Sequence, residues 1–202
     1  MLQIPTTLLT RWPFFYGVMG RYREAFIFLL LIVSAAVRAE TAVFFTLSTA
    51  CEEQIAARID AAQASIDIAI YSFTHRRLAT AVQAASARGV RVRILADRRQ
   101  AAGRGAQVLP LYRAGLNVRV HTIHQTQHNK FAVFDGTAVV TGSYNWTYNA
   151  SRRNDENCLF INNEPETVSR YREAFERLWA ANPQEMSEHW FRRHVEKTKE
   201  RE

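Results

Sequence analysis

The residues best suited to chemistry lie close together between positions 128 and 145. His128 and Lys130 stand two apart at the start of an apolar run, and Ser143 and Asn145 follow a second apolar run. Ammonium, hydroxyl and amide groups are donors that suit the oxygens of a phosphate group. A neutral histidine beside such donors can act as a nucleophile or carry a proton. The segment therefore predicts a phosphate site at which His128 does the chemistry.

An Asp-Gly pair, Asp135 and Gly136, separates the two apolar runs and is a strong signal for a β-hairpin. With these two residues as the loop, alternation along the strands collects polar side chains at the open end of the hairpin. That polar face comprises His128, Lys130, Thr141 and Ser143, with Asn145 two residues further on. The opposite face, predicted to lie in the core, comprises Phe131, Val133, Ala138 and Val140. Asp135 lies at the turn, away from His128, so this geometry predicts a structural role for it.

The spacing of these residues resembles the motif of the phospholipase D superfamily: His, any residue, Lys, any four, Asp, any six, Gly-Ser, any residue, Asn. All six fixed positions match, at His128, Lys130, Asp135, Gly142, Ser143 and Asn145. The likeness continues through segments 66–74, 88–97 and 154–157, within a region that runs from residue 42 to residue 180. It is greatest for the small, exported, single-motif nuclease branch of the superfamily.

The resemblance implies a mechanism in which His128 attacks phosphorus and forms a phosphohistidine. Lys130, Asn145 and Ser143 then hold the phosphoryl oxygens, and a second histidine protonates the leaving oxygen. Glu156 resembles the acidic residue that orients the catalytic histidine, with Asp155 as the alternative. Asp135 belongs to the motif as well, although the hairpin geometry predicts a structural role for it.

A substrate-binding set completes the predicted site. Arg152 and Arg153 follow the motif and line a nucleic-acid groove, or they form a plain surface pair. Tyr71 and Phe73 lie near the site by family likeness, or they belong to the core. A zinc site built from His121, His124 and His128 is disfavoured because no carboxylate or cysteine joins these histidines. No metal and no cofactor is therefore expected.

The chain carries one copy of the motif, whereas the implied mechanism needs two histidines. At 202 residues it is too short for two full domains of this type, and it shows no internal repeat. His75-Arg76-Arg77 is the nearest second candidate, but it lacks every downstream element. The sequence therefore predicts a homodimer in which a two-fold axis brings His128 of one subunit to His128 of the other.

Residues 1–39 have the pattern of a secretory signal peptide. Arg21 and Arg23 precede the apolar run 25–36, and Val37-Arg38-Ala39 has the small-x-small form of a cleavage site. The run is shorter than the about 20 residues that a membrane span needs. The sequence therefore predicts a periplasmic or secreted protein, with an uncleaved membrane anchor as the alternative. Met19 is an alternative start.

Charge and cysteines constrain the partner and the compartment. The net charge is +7, and removing residues 1–39 takes away four arginines and one glutamate and lowers it to +4. This balance suits a polyanion such as nucleic acid, or an anionic membrane surface. Cys51 and Cys158 either form a disulfide, which an oxidising compartment permits, or remain two buried thiols.

Helix and strand patterns alternate along the chain. Besides the hairpin, strands are predicted at 42–45, 65–71, 90–96, 116–121 and 157–161, and helices at 51–62, 76–88, 108–114 and 166–181. The segment 100–105 is predicted to be a loop. This order indicates the α/β class, a layered α/β/α sandwich with a mixed β-sheet of the phospholipase D-like type. The catalytic domain is predicted at 40–182, and the charged tail at 183–202 is either helical or frayed.

Together these features predict a metal-independent phosphodiesterase. The first hypothesis is an endonuclease that cleaves nucleic acid, DNA or RNA, through a phosphohistidine. The first alternative is a phosphodiesterase acting on phospholipid of the cardiolipin type, since the chemistry is the same and only the approach surface differs. The second alternative is a non-catalytic nucleic-acid-binding protein on the same fold, which a turnover assay would separate from an enzyme.

Overall fold

The computed structural model describes residues 39–47 and 50–199, and side-chain surroundings up to residue 194. Apart from Ala39, the predicted signal peptide and the alternative start at Met19 lie outside these residues. Among the helices of the described part, none is long and apolar enough to cross a membrane.

Seven strands form one mixed sheet in the order β1-β7-β6-β5-β2-β3-β4. They are β1 (Glu40–Phe45), β2 (Ser65–Ile70), β3 (Arg91–Asp97), β4 (Asn117–His121), β5 (Lys130–Phe134), β6 (Ala138–Gly142) and β7 (Asn157–Asn162). The strands β2, β3 and β4 run parallel to one another, and all other neighbouring pairs are antiparallel. The antiparallel pairing places the ends of β2 and β6 beside the beginnings of β5 and β7, and the polar motif lies at this edge.

Helices cover both faces of the sheet. They are α1 (Ala50–Ala61), α2 (Arg76–Ala87), α3 (Arg98–Ala101), α4 (Val108–Arg113), α5 (Tyr148–Arg152), α6 (Pro165–Ala181) and α7 (Gln184–Lys199). Apolar side chains of α1, α2, α4 and α7 pack on one face, and those of α6 pack on the other. This arrangement confirms the predicted α/β/α sandwich with a mixed sheet.

The hairpin of β5 and β6 differs from the prediction by one residue. Its loop has three residues, 135–137, so that Phe134 pairs with Ala138 and Phe131 pairs with Thr141. Asp135 and Gly136 both have positive φ, 50° and 65°. The loop is set by a distant contact, because the backbone N–H of Asp135 donates to the carbonyl of Ser65 at 2.8 Å.

The altered register also corrects the predicted core face. Phe131 and Val133 pack against Val139 and α6, whereas Ala132 and Phe134 lie in the larger cluster on the opposite face. Both faces of the hairpin are buried because helices cover the sheet on both sides. A sheet with one solvated face would have shown the expected alternation instead.

The carboxyl-terminal segment is more ordered than a frayed tail. Residues 184–199 form α7, in which Phe191 is fully buried and its ring stacks on Tyr112 at 3.8 Å between centroids. The Ser187 hydroxyl accepts a hydrogen bond from the backbone N–H of Val120 at 3.0 Å. The folded unit therefore continues past residue 182, the predicted end of the catalytic domain.

The two cysteines form a disulfide in the structure, rather than remaining two buried thiols. Cys51 of α1 is bonded to Cys158 of β7, with their Cα atoms 5.9 Å apart. The bond ties the first helix to the strand that begins directly beside the polar motif.

Candidate active site

A cavity of about 720 Å³ opens where β6 ends and β5 and β7 begin. Five of the residues predicted for the site line it: His128, Lys130, Ser143, Asn145 and Glu156. Ile70, the last residue of β2, pairs with Lys130, and Gly142 pairs with Cys158. The sheet register thus brings the five lining residues together, although His128 and Glu156 are 28 positions apart in the chain.

His128 and Lys130 line the cavity side by side. The Lys130 Nζ lies 3.2 Å from Nδ1 and 3.4 Å from Nε2 of His128, and it donates to the His128 carbonyl oxygen at 2.7 Å. The Tyr71 ring lies against the imidazole, with 4.5 Å between centroids. Burial lowers the pKa of Lys130, and the nearby Glu156 carboxylate only partly opposes this effect. A partly desolvated ammonium beside an exposed imidazole is well placed for a phosphoryl group.

Asn145 is held so that its amide nitrogen is available. Its Oδ1 accepts the backbone N–H of Ser72 at 3.2 Å, which fixes the orientation of the amide because only the oxygen can accept. Within the described part of the chain, no hydrogen bond occupies its Nδ2. Asn145 therefore presents a donor to the cavity that it shares with His128 and Lys130.

Ser143 belongs to a hydrogen-bonded network. Its hydroxyl donates to Glu156 Oε2 at 2.5 Å and accepts from the backbone N–H of Asn157 at 3.1 Å. The other oxygen of Glu156 accepts from Asn154 Nδ2 at 3.0 Å. Within one chain, no contact joins Glu156 to His128 in the described structure. The serine hydroxyl is thus already engaged, unlike the amide of Asn145.

Gly142 is required at its position by the close approach of β7. Its φ is +142°, and a Cβ added there would lie 2.4 Å from the Asn157 carbonyl oxygen and 2.7 Å from Asn157 Oδ1. Any larger residue would push apart β6 and β7, whose ends adjoin Ser143 and Glu156.

Two of the predicted site residues lie elsewhere for clear physical reasons. Asp135 is at the opposite end of the hairpin, where its carboxylate accepts backbone N–H groups of residues 63–65 at 2.7–3.2 Å. Burial would raise the pKa of Asp135, but these hydrogen bonds outweigh it and hold the pKa below 3.8. Phe73 is 1 % exposed and packs edge-on against Trp146 in the core, so it does not reach the cavity.

The two predicted arginines have different surroundings. Arg152 lies 3.6 Å from the buried carboxylate of Glu52, which also contacts His75 at 3.2 Å and Arg77 at 2.9 Å. Arg153 instead places its guanidinium 5.9 Å from the ring centroid of Tyr148. Burial raises the pKa of Glu52, but the hydrogen bond from Arg77 and the contacts with His75 and Arg152 together hold it below its ordinary value. His75 is thereby placed in a structural ion cluster rather than in the cavity.

The chain matches the family described as cardiolipin synthase, PLD-like domain, over residues 55–179. The chain belongs to the phospholipase D superfamily. Among solved structures it is similar to a phospholipase D family member, Nuc, from Salmonella typhimurium. That match has a TM-score of 0.68 and 30% identity, and it covers 72% of this chain and 97% of the other. The predicted family is therefore confirmed.

Curated phospholipase D relatives are also similar in sequence. A mitochondrial cardiolipin hydrolase of Xenopus tropicalis is 44% identical over 118 residues, which are 58% of this chain and 56% of the relative. A phospholipase D of Rickettsia conorii is 35% identical over 132 residues, 65% of this chain and 66% of the relative. The chain thus spans little more than half of the Xenopus protein. These names support the predicted enzyme class, a phosphodiesterase hydrolase of the phospholipase D type.

The relatives correct one prediction. A periplasmic or secreted location was expected from the basic flank and apolar run before residue 40. The curated relatives from animals and from Chlamydomonas are mitochondrial cardiolipin hydrolases instead. The predicted export is therefore wrong.

Several residues of this phospholipase D site were missed in the sequence. The Asp97 carboxylate accepts the backbone N–H of Gln127 at 3.0 Å, and Gln127 Oε1 accepts that of Asn129 at 2.6 Å. This chain of bonds fixes the segment on both sides of His128. Tyr171 and Ala174 of α6 close another wall of the cavity. An aspartate at the end of a buried strand pattern was the available signal for Asp97, whereas α6 reaches the cavity only through tertiary packing.

The remaining histidines lie outside the cavity. His121 and His124 line a neighbouring cavity, with 5.6 Å between their ring centroids. His128 itself lies against Tyr71, apart from these two histidines. Within residues 39–47 and 50–199, no three His, Cys, Asp or Glu residues are grouped so as to hold a metal ion.

Proposed function

We propose that this protein is a metal-independent phosphodiesterase that cleaves nucleic acid through a phosphohistidine on His128. The observation that carries the proposal is the group of His128, Lys130 and Asn145 on one open cavity. The imidazole is exposed, the ammonium lies 3.2 Å from it, and the amide nitrogen has no other partner among the described residues. A nucleophile beside two phosphate-binding donors is what phosphoryl transfer requires.

The first step forms a bond between a ring nitrogen of His128 and phosphorus and breaks the bond to the leaving oxygen. Lys130 and the Asn145 amide offset the negative charge that builds on the other phosphoryl oxygens. The leaving oxygen takes a proton from a second, protonated histidine. In the second step that histidine, now neutral, removes a proton from water, and the hydroxide displaces His128 from phosphorus.

The second histidine comes from another copy of the chain in this proposal. In the described part of one subunit, His128 is the single histidine that lines the cavity. A two-fold axis close to the open end of the hairpin would bring the two His128 side chains to one phosphate. The two Lys130 ammonium groups would then repel each other, and a bound phosphate would offset that repulsion.

Subunit mixing tests the shared site. A dimer of one normal and one His128→Ala subunit loses nearly all activity if nucleophile and acid come from different chains. Differently tagged subunits allow the mixed dimer to be purified and assayed. Half of the normal activity would instead indicate two independent sites, and an active monomer at nanomolar concentration would exclude the shared site.

A phospholipid of the cardiolipin type is the second candidate substrate, since the Xenopus relative is a cardiolipin hydrolase. The same residues would act on either phosphodiester, so the chemistry does not discriminate between them. Nucleic acid is preferred here because the cavity next to the His128 cavity is lined by arginines and amides rather than by a continuous apolar wall.

One experiment compares the candidates directly. The purified protein is incubated in excess chelator with plasmid DNA, single-stranded RNA and cardiolipin vesicles in parallel. We expect cleavage of nucleic acid that the chelator does not abolish. Cleavage restricted to cardiolipin would favour the lipid, and binding of nucleic acid without turnover would favour the non-catalytic alternative. Activity that requires added magnesium or zinc would contradict the metal-free mechanism.

A further inference from the structure

A second groove of about 550 Å³ opens beside the His128 cavity. It is called the Tyr148 groove here, and its main residues are Tyr71, Arg76, Arg104, Asn145, Tyr148 and Asn149. Asn145 lines both spaces, and Tyr71 lies in this groove while its ring contacts His128. A linear substrate held at the His128 cavity therefore continues into the Tyr148 groove.

The lining of the Tyr148 groove suits an anionic chain. Arg76 and Arg104 are exposed there, and amide and hydroxyl side chains make up most of the remainder. No carboxylate is among the residues that line it in the described structure. Neither arginine forms an ion pair with a described acidic residue. Their guanidinium groups are thus available to phosphates, in contrast to Arg152, which pairs with Glu52.

Tyr148 is an exposed aromatic residue in this polar setting. Tyr148 is 57 % exposed, and the guanidinium of Arg153 lies 5.9 Å from its ring centroid. The backbone around it is fixed, because the Thr147 hydroxyl accepts the N–H of Ala150 at 3.1 Å. A flat, solvated ring on a rigid support is what a nucleobase needs for stacking.

We propose that Tyr148 stacks on the base of a nucleotide that flanks the scissile phosphate, while Arg104 and Arg76 contact the phosphates beyond it. This inference rests on the proposed nuclease function and adds a specificity-determining residue to it. The base must be unpaired for its face to reach the ring. An acyl chain is a poor occupant, since polar groups surround Tyr148 on the groove wall.

The test compares two single-stranded oligonucleotides of equal length, one complete and one with abasic residues beside the cleaved bond. Stacking on one aromatic ring raises kcat/KM for the complete strand by roughly 5- to 100-fold over the abasic strand. We expect this ratio to fall close to one in Tyr148→Ala and to be retained in Tyr148→Trp. An unchanged ratio in Tyr148→Ala would overturn the proposal, and melting curves of both variants establish that they are folded.

Salt dependence supplies an independent readout for the arginines. Replacing a residue that contacts a phosphate reduces the slope of log binding constant against log salt by roughly one unit. We expect this reduction in Arg104→Ala and no reduction in Arg113→Ala, which replaces another exposed arginine, outside the groove. Equal slopes in both variants would overturn the phosphate contact.

The two levels of the proposal fail differently. If the normal protein cleaves neither oligonucleotide, the proposed nuclease function itself fails. If the normal protein and the Tyr148 variants all cleave both oligonucleotides equally well, the nuclease function stands and the role of Tyr148 fails.

Discussion

The two ends of the β5–β6 hairpin carry residues of the same motif but are built for different purposes. At the turn, the Asp135 carboxylate accepts backbone N–H groups of residues 63–65, so its charge is used within the fold. At the open end, His128 is exposed and the Asn145 Nδ2 has no partner among the described residues. The Asp135 carboxylate at the turn thus has its hydrogen bonds made within the fold, whereas the open end keeps a donor available to a ligand.

This difference distinguishes polar groups that stabilise the fold from polar groups that can bind a ligand. A polar group whose hydrogen bonds are all made stabilises the fold and has nothing left for a ligand. A group that is fixed in place but still has a free donor can bind one without reorganisation. Membership of a sequence motif does not distinguish these cases, whereas the hydrogen-bond partners do. Substitutions at the two ends should therefore affect different quantities.

The largest effect is expected for His128→Ala. Loss of the nucleophile should lower kcat by roughly 10⁴-fold or more. The melting temperature should change little because the His128 side chain is exposed and contacts only Tyr71 and Lys130 among the described residues. Steady-state kinetics and thermal unfolding measure the two quantities separately. Retention of more than a few per cent of kcat would contradict the phosphohistidine mechanism.

Lys130→Met should follow, with a loss of roughly 10²- to 10³-fold in kcat/KM, the range for removing one donor to a developing charge. Because burial lowers the pKa of Lys130, the kcat/KM of the normal enzyme should begin to fall at an alkaline pH below 10.5, the ordinary pKa of lysine. This profile reports groups of the free enzyme. Lys130→Arg is the control, since arginine stays charged throughout and should remove this alkaline limb. An alkaline limb that persists in Lys130→Arg would assign it to another group.

Much of this structure was readable from local patterns. The predicted strand 65–71 is Ser65–Ile70, and the predicted helix 166–181 is Pro165–Ala181. Hydrophobic periodicity and the signals at element ends depend only on neighbouring residues, so they predict the bounds of helices and strands without knowledge of the tertiary contacts. The grouping of His128, Lys130 and Asn145 was likewise anticipated, because a hairpin is a local structure.

The errors came from contacts between distant residues. The hairpin loop has three residues because Asp135 is bonded to a segment about 70 positions earlier, which no local pattern records. The role of Asp97 depends in the same way on Gln127, 30 residues later. The location was misjudged for another reason: an apolar run beside arginines records hydrophobicity and charge but does not specify a compartment.

Asp135→Asn should affect stability and leave kcat unchanged. Asparagine tolerates the positive φ but lacks the charge that strengthens these hydrogen bonds, so unfolding should become easier by about 1–3 kcal/mol. The folded-state pKa of Asp135 lies below 3.8, so its contribution is fully present above that value. The difference between the two proteins should disappear as the pH falls through the folded pKa. Denaturant unfolding from pH 7 to pH 3 measures it, with Thr137→Ala in the same loop as the control. A constant difference across this range would mean that the charge of Asp135 contributes nothing.

Ser143→Ala should have the smallest effect and is the sharpest test of the comparison. Ser143 lies at the open end, yet its hydroxyl donates to Glu156 and accepts from Asn157, so it resembles Asp135 in being engaged. Removing it should destabilise the protein by about 1 kcal/mol and lower kcat/KM by only a few fold, because Glu156 loses a partner. Asn145→Ala, which removes an unoccupied donor, should instead cost roughly 10²-fold or more. If the two variants lose activity equally, the serine hydroxyl must leave Glu156 during turnover and bind the phosphoryl group itself. Partner occupancy in the free protein would then no longer separate the two ends of the hairpin.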